Sequence, residues 1–157
     1  MKLTKYCLWF CFCFVVILNS CNQKVEVSSE QAGQFVKFLG GSAIDKAMDV
    51  KPCTDGGYAL TGTLSSESNV STAFFIKTDQ YGNEANFSPV LLGDGAEGIG
   101  YSVCQTSDGN FLVAGSIVAN GRTDRDILVD KINKDGSIAW KKSFGGMYDD
   151  EAYSVIE

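Results

Sequence analysis

The chain has 157 residues, 45% of them hydrophobic and 20% charged, a balance that allows one modest globular domain. Thirteen basic and 19 acidic residues give a formal charge of −6, and there is no histidine. An acidic chain lacks the basic face that nucleic-acid phosphates require, so nucleic acid is excluded as a partner. The missing imidazole excludes Ser-His-Asp and Cys-His catalysis and histidine-ligated zinc within the chain.

In chain order, Lys2 and Lys5 give a positive start, and residues 6–18 carry no charge. A spanning helix needs about 20 apolar residues, so this run has signal-peptide length. It ends in Leu18-Asn19-Ser20-Cys21. All 19 acidic residues follow Cys21, so loss of Lys2 and Lys5 with a leader takes the charge from −6 to −8. The tetrapeptide resembles the lipobox of bacterial lipoproteins, with an aliphatic residue three positions before the cysteine and a small residue just before it. That resemblance implies cleavage before Cys21, a diacylglyceryl thioether on its sulfur and acylation of its new amino group. Several acyl chains on one residue anchor stably, where a single chain binds only marginally. A plain secretory leader, with Cys21 incidental, is the alternative reading. Asn22 is not the aspartate-type retention signal of that family, which points to the outer membrane of a bacterial cell envelope. Residues 1–20 are thus expected to be a signal peptide and residues 21–33 a polar tether.

Residues 34–157 carry a repeat. With Gly40, Gly93 and Gly145 in register, the successive offsets are 53 and 52 residues, a period that belongs to solenoids, propellers or arrays. The units are residues 35–87, 88–139 and a partial 140–157. Strand-like alternation over 43–51 is followed by Thr54-Asp55-Gly56-Gly57 and by a second strand at 58–63. A third is predicted at 73–78, with a Tyr81-Gly82-Asn83 turn, and a fourth at 85–92. The second unit repeats this at 101–106, 111–116, 127–132 and 138–144. Residues 35–39 read as a lone fourth-type strand and 152–156 as a lone first-type strand. Four antiparallel strands per unit of this length is the pattern of a β-propeller blade.

The pattern is similar to the repeat of secreted bacterial propeller proteins. Trp140, Lys142, Gly145, Gly146, Asp150, Ala152, Ser154 and Val155 carry the resemblance, as do Asp45, Ala47, Val50, Thr54, Asp55, Gly56, Gly57, Tyr58, Lys77, Asp79 and Gly82. The middle unit departs from it, with Gly98 for the aspartate and Gly100 for the alanine. The fold expected is all-β: about two propeller-like blades plus partial units, in an incomplete ring. Closed rings typically need four to eight blades. A truncated relative of a longer propeller lipoprotein is therefore expected, or a protomer that self-associates through its open blade edges.

Candidate chemistry is sparse, and no catalytic residue, cofactor site or metal site is assigned. Residues 93–98 spell G-x-G-x-x-G, but strand rather than helix follows, so the match reads as chance. Asp124, Asp126 and Asp130 lack the spacing of a calcium loop. Asp149-Asp150-Glu151 reads as a solvated turn, with Asp150, like Asp45, capping a loop. Cys53 and Cys104 are either bridged between units or buried free thiols. Residues 131–140 resemble the tryptophan-docking motif of quinoprotein-type propellers, with blade-to-blade packing of Trp140 as the plainer reading and no periodicity of the motif in the earlier units. Two functions stand: a lipid-anchored binding or scaffold module for a protein or glycan without catalysis of its own, or a remnant of a propeller enzyme.

Overall fold

The computed structural model describes residues 35–41, 43–67, 70–119 and 121–157; the expected signal peptide, Cys21 and the whole tether lie outside them. Phe35–Glu157 is one compact unit. It holds two four-stranded antiparallel sheets. The first runs β1 (Lys46–Pro52), β2 (Tyr58–Ser65), β3 (Ser71–Thr78) and β4 (Val90–Leu91); the second runs β5 (Gly98–Gln105), β6 (Phe111–Val118), β7 (Arg125–Ile132) and β8 (Ile138–Phe144). In both, neighbours in sequence are neighbours in the sheet. This is the all-β, blade-by-blade architecture that the repeat predicts, and the sheets do not close on themselves.

The turn chemistry explains the sheet order. Asp55 accepts the Gly57 N–H (3.0 Å), Asp108 that of Asn110 (3.1 Å) and Asp135 that of Ser137 (3.0 Å), while Asp79 takes those of Tyr81 and Asn83. Each aspartate thus satisfies the backbone of a tight turn whose glycine has positive φ: Gly56, Gly109, Gly136 and Gly82 lie between 76° and 86°. Each first strand also carries a bulge at the same repeat position. Met48 and Tyr101 are the extra residues there, opposite β2 and β6.

The two sheets face one another across a single core. Ala59, Ala73 and Phe75 of the first meet Val103, Phe111, Val113, Leu128 and Ile132 of the second, with Cys53 and Leu92 filling the ends. The Phe75 and Phe111 ring centroids are 4.8 Å apart. Burying one such side chain is worth about 1.5–3 kcal/mol, so this ring pair anchors the stack.

Three expectations are corrected. The fourth strand of the first unit is reduced from residues 85–92 to Val90–Leu91. Pro89 has no N–H to give to a ladder, and Gly93 follows Gly82 by eleven positions where Gly145 follows Gly136 by nine, so part of the segment loops out. The lone segments at 35–39 and 152–156 are extended but are not strands, because neither is paired into a ladder. Finally, the first strand begins at Lys46 rather than at residue 43. The G-x-G-x-x-G stretch forms a 3-10 turn at Gly93–Gly95 and runs straight into β5, with no helix, as its sequence context predicts.

Candidate binding surface on the second sheet

The junction between the sheets is built from contacts that recur one repeat later. Asp49 Oδ2 accepts from the Val103 N–H (3.0 Å) and the Ser102 hydroxyl (3.2 Å), which ties β5 onto the first sheet. Burial alone would raise the Asp49 pKa, but the Val103 N–H, the Lys51 ammonium and the Ser102 hydroxyl together hold it below the ordinary value. Gln105 Oε1 accepts the Thr54 N–H (2.8 Å), capping the first hairpin from the next unit. One repeat on, Val155 donates its N–H to Ser102 Oγ (3.4 Å), and Glu157 accepts from the Ser107 N–H and hydroxyl. Residues 150–157 therefore lie over the second sheet as β5 lies over the first. Asp150 N–H to Arg125 O (2.7 Å) and Ala152 N–H to Gly115 O (3.3 Å) hold them there.

Asp45 and Asp150 do what their repeat position suggests. Asp45 Oδ2 accepts the Gly41 N–H (2.7 Å) and Asp150 Oδ2 accepts the Gly146 N–H (2.9 Å). Gly98 stands at this position in the middle unit. The Gly93 N–H, one position before the equivalent of Gly41 and Gly146, goes to Asp130 Oδ2 (3.2 Å).

At the first two unit boundaries an aromatic residue lies against the glycine turn of the unit that follows. Phe35 lies against Gly82, and Phe87 against Gly136, each so close that a Cβ on the glycine would not fit. Trp140 is the third member and remains 38% exposed, with the Lys142 ammonium 5.3 Å from its ring centroid. The periodicity that the tryptophan-docking motif lacks in sequence is therefore present in space. Phe87 sits one position out of register with Phe35 and Trp140 because of the looped-out residues before Gly93, which hid it.

The outer face of the second sheet, opposite the core, thus carries an unfinished junction. Trp140 and Phe144 are exposed on β8, and Met147, Tyr148, Tyr153 and Ile156 beyond it. Lys131 pairs with Asp108 at 2.7 Å and is 23% exposed; its counterpart in the covered junction, Lys77 with Asp55 at 2.8 Å, is 11% exposed. The Lys131 ammonium holds the Asp108 carboxyl far below the usual carboxylate range.

At the loop end of this face lies a polar cluster. Tyr101 and Tyr153 rings lie 4.6 Å apart, and both hydroxyls donate to Glu151. The corresponding positions in the covered junction are Met48, Tyr101 and Ile99. Burial and then the Glu151 charge push the Tyr101 hydroxyl pKa up. Arg125 reaches Glu97 (2.8 Å) through Nη2, and among the described residues its buried Nη1 has no hydrogen-bond partner.

The three aspartates considered for calcium do not converge. Asp124 pairs with Arg122, which also approaches Asp126 (3.4 Å), while Asp130 is fully buried on β7 against Gly93. Burial pushes the Asp130 carboxyl up. Among the described residues no group of three or more His, Cys, Asp or Glu gathers as a metal site would need. Cys53 and Cys104 are free thiols, not a bridge, and burial raises the pKa of both. Cys53 belongs to the core between the sheets. No family model matches the chain, and no curated protein matches it.

Proposed function

We propose that the chain is a bacterial lipoprotein of the cell envelope, anchored at the outer membrane through Cys21, and that its propeller-type sheets serve as a binding or scaffold module without catalysis of their own. One observation carries the scaffold reading: the charged side chains at the sheet ends are committed to the backbone. Asp45, Asp49, Asp79, Asp108, Asp135 and Asp150 each accept main-chain N–H groups. Such groups hold loops in place rather than poise protons for transfer. The anchoring reading rests on the charged start, the short apolar run and Leu18-Asn19-Ser20-Cys21. Kinship with secreted bacterial propeller repeats rests on residues of the first unit, Asp45 to Gly82, and of the partial third, Trp140 to Val155.

The test is metabolic labelling of the full chain in bacteria with an alkyne fatty acid. Label that disappears in Cys21→Ser supports the anchor. Label that persists in that variant, or a wild-type chain recovered unlabelled from the medium, contradicts it.

A further inference from the structure

We infer that the outer face of the second sheet docks the first sheet of a second copy of this chain, Trp140 of one copy seating on the Tyr81-Gly82-Asn83 turn of the next. This goes beyond the lipid-anchored reading and does not depend on it.

The internal junction is the template. It requires an aromatic residue on the following glycine turn, a Lys-Asp pair sealed by the following sheet, and a first strand laid over the preceding sheet. The second sheet offers all three positions: Trp140, the Lys131-Asp108 pair, and the surface now occupied by residues 150–157. The first sheet of another copy supplies the complements, which are the Gly82 turn and β1.

The two ends of the unit are in the same phase of the repeat. Residues 140–157 match residues 35–52 at Lys142 and Lys37, Gly145 and Gly40, Gly146 and Gly41, Asp150 and Asp45, Ala152 and Ala47, and Val155 and Val50. A second copy stacked head to tail therefore arrives in register. Its β1 takes the place of residues 150–157, with the Val50 N–H replacing that of Val155 at Ser102. Its Phe35 yields Gly82 to Trp140. The exchange gives up the Glu157 contact with Ser107, for which Pro52 has no counterpart, and it gains burial of Trp140 and Phe144, now exposed. Replacing one segment by its repeat equivalent is the low-cost route to assembly known from domain swapping. The contact is heterologous, so it propagates until the rotation closes.

The test uses the full chain in detergent, with p-benzoylphenylalanine in place of Trp140 and a mixture of unlabelled and nitrogen-15-labelled copies. Irradiation is expected to give links between light and heavy copies, mapped by peptide mass spectrometry to residues 79–84. Sedimentation is expected to show a species larger than the monomer, and Trp140→Ala to weaken assembly about tenfold or more with circular dichroism unchanged. Links confined to one copy, links to other proteins, or a monomer at every concentration overturn the inference. The Cys21→Ser chain keeps the two readings apart: links that survive in it support docking through the sheet, whereas links lost with the acyl chains overturn it.

Discussion

The junction between the two sheets and the one beyond the second sheet have the same plan and opposite states. The first is closed over Phe75, Phe111 and Val113, with Lys77 sealed beside Asp55. The second has only residues 150–157 lying across it, Lys131 more exposed than Lys77, and Trp140 and Phe144 exposed. The polar ties of the repeat recur in both: an N–H of each first strand to the residue at the position of Asp49 or Ser102, and a Gln or Glu to the hairpin turn of the preceding unit. The apolar filling occurs in one. Hydrogen bonds thus set the register of a stacked unit, and apolar burial makes it stable, because a net hydrogen bond contributes about 1 kcal/mol against several for a filled core position.

Substitutions sharpen this contrast, from large effects to small. Phe111→Ala should cost about 3–5 kcal/mol in equilibrium urea unfolding, since it empties the closed junction; a loss below about 1 kcal/mol would mean that the sheets do not share one core. Asp49→Ala should cost about 1–3 kcal/mol by leaving the buried Val103 N–H unpaired. Trp140→Ala and Tyr153→Ala in the dissociated chain should each stay within about 0.5 kcal/mol, as exposed substitutions do. Tyr153→Ala matching Phe111→Ala would show that the second junction is also closed.

The pH dependence separates two carboxyls, Asp49 partly buried and Asp130 fully so. Asp49 has a folded pKa below its unfolded one, so its contribution is present above the unfolded value and is lost as pH falls through the folded value. Asp130 is shifted the other way by burial, so its contribution is fully present below its unfolded pKa and is lost as pH rises through the folded one. Unfolding curves across the acid range should therefore show Asp49→Asn flattening the loss of stability on acidification, and Asp130→Asn removing the penalty on the neutral side. Identical pH profiles for wild type and Asp130→Asn would contradict the burial of an ionisable Asp130.

Much of the architecture is legible in the residues, because turn chemistry is local. Asp55-Gly56-Gly57, Ser107-Asp108-Gly109 and Asp135-Gly136 mark hairpins wherever they stand, and strand alternation between them fixes the order. The caps at Asp45 and Asp150 are legible for the same reason. The lone segments at 35–39 and 152–156 carry strand patterning without being strands, since a strand needs a partner that local sequence does not report. The Phe35, Phe87 and Trp140 series escapes a linear register because the loop at Pro89 shifts Phe87 by one position. The polar cluster at Tyr101 was not anticipated either. Its members come from β5, β6, β7 and the 150–157 segment, and only stacking brings them together. The doublets Tyr101-Ser102 and Tyr153-Ser154, at equivalent repeat positions, were the one available signal.

The central claim is that the first junction is a finished core and the second an open face. Native-state hydrogen exchange of two equivalent amides tests it most directly. The Val103 N–H, bound to Asp49 inside the closed junction, should exchange only through global unfolding, while the Val155 N–H, bound to Ser102 at the open face, should exchange through local opening and far faster. Equal protection at Val103 and Val155 would contradict the account.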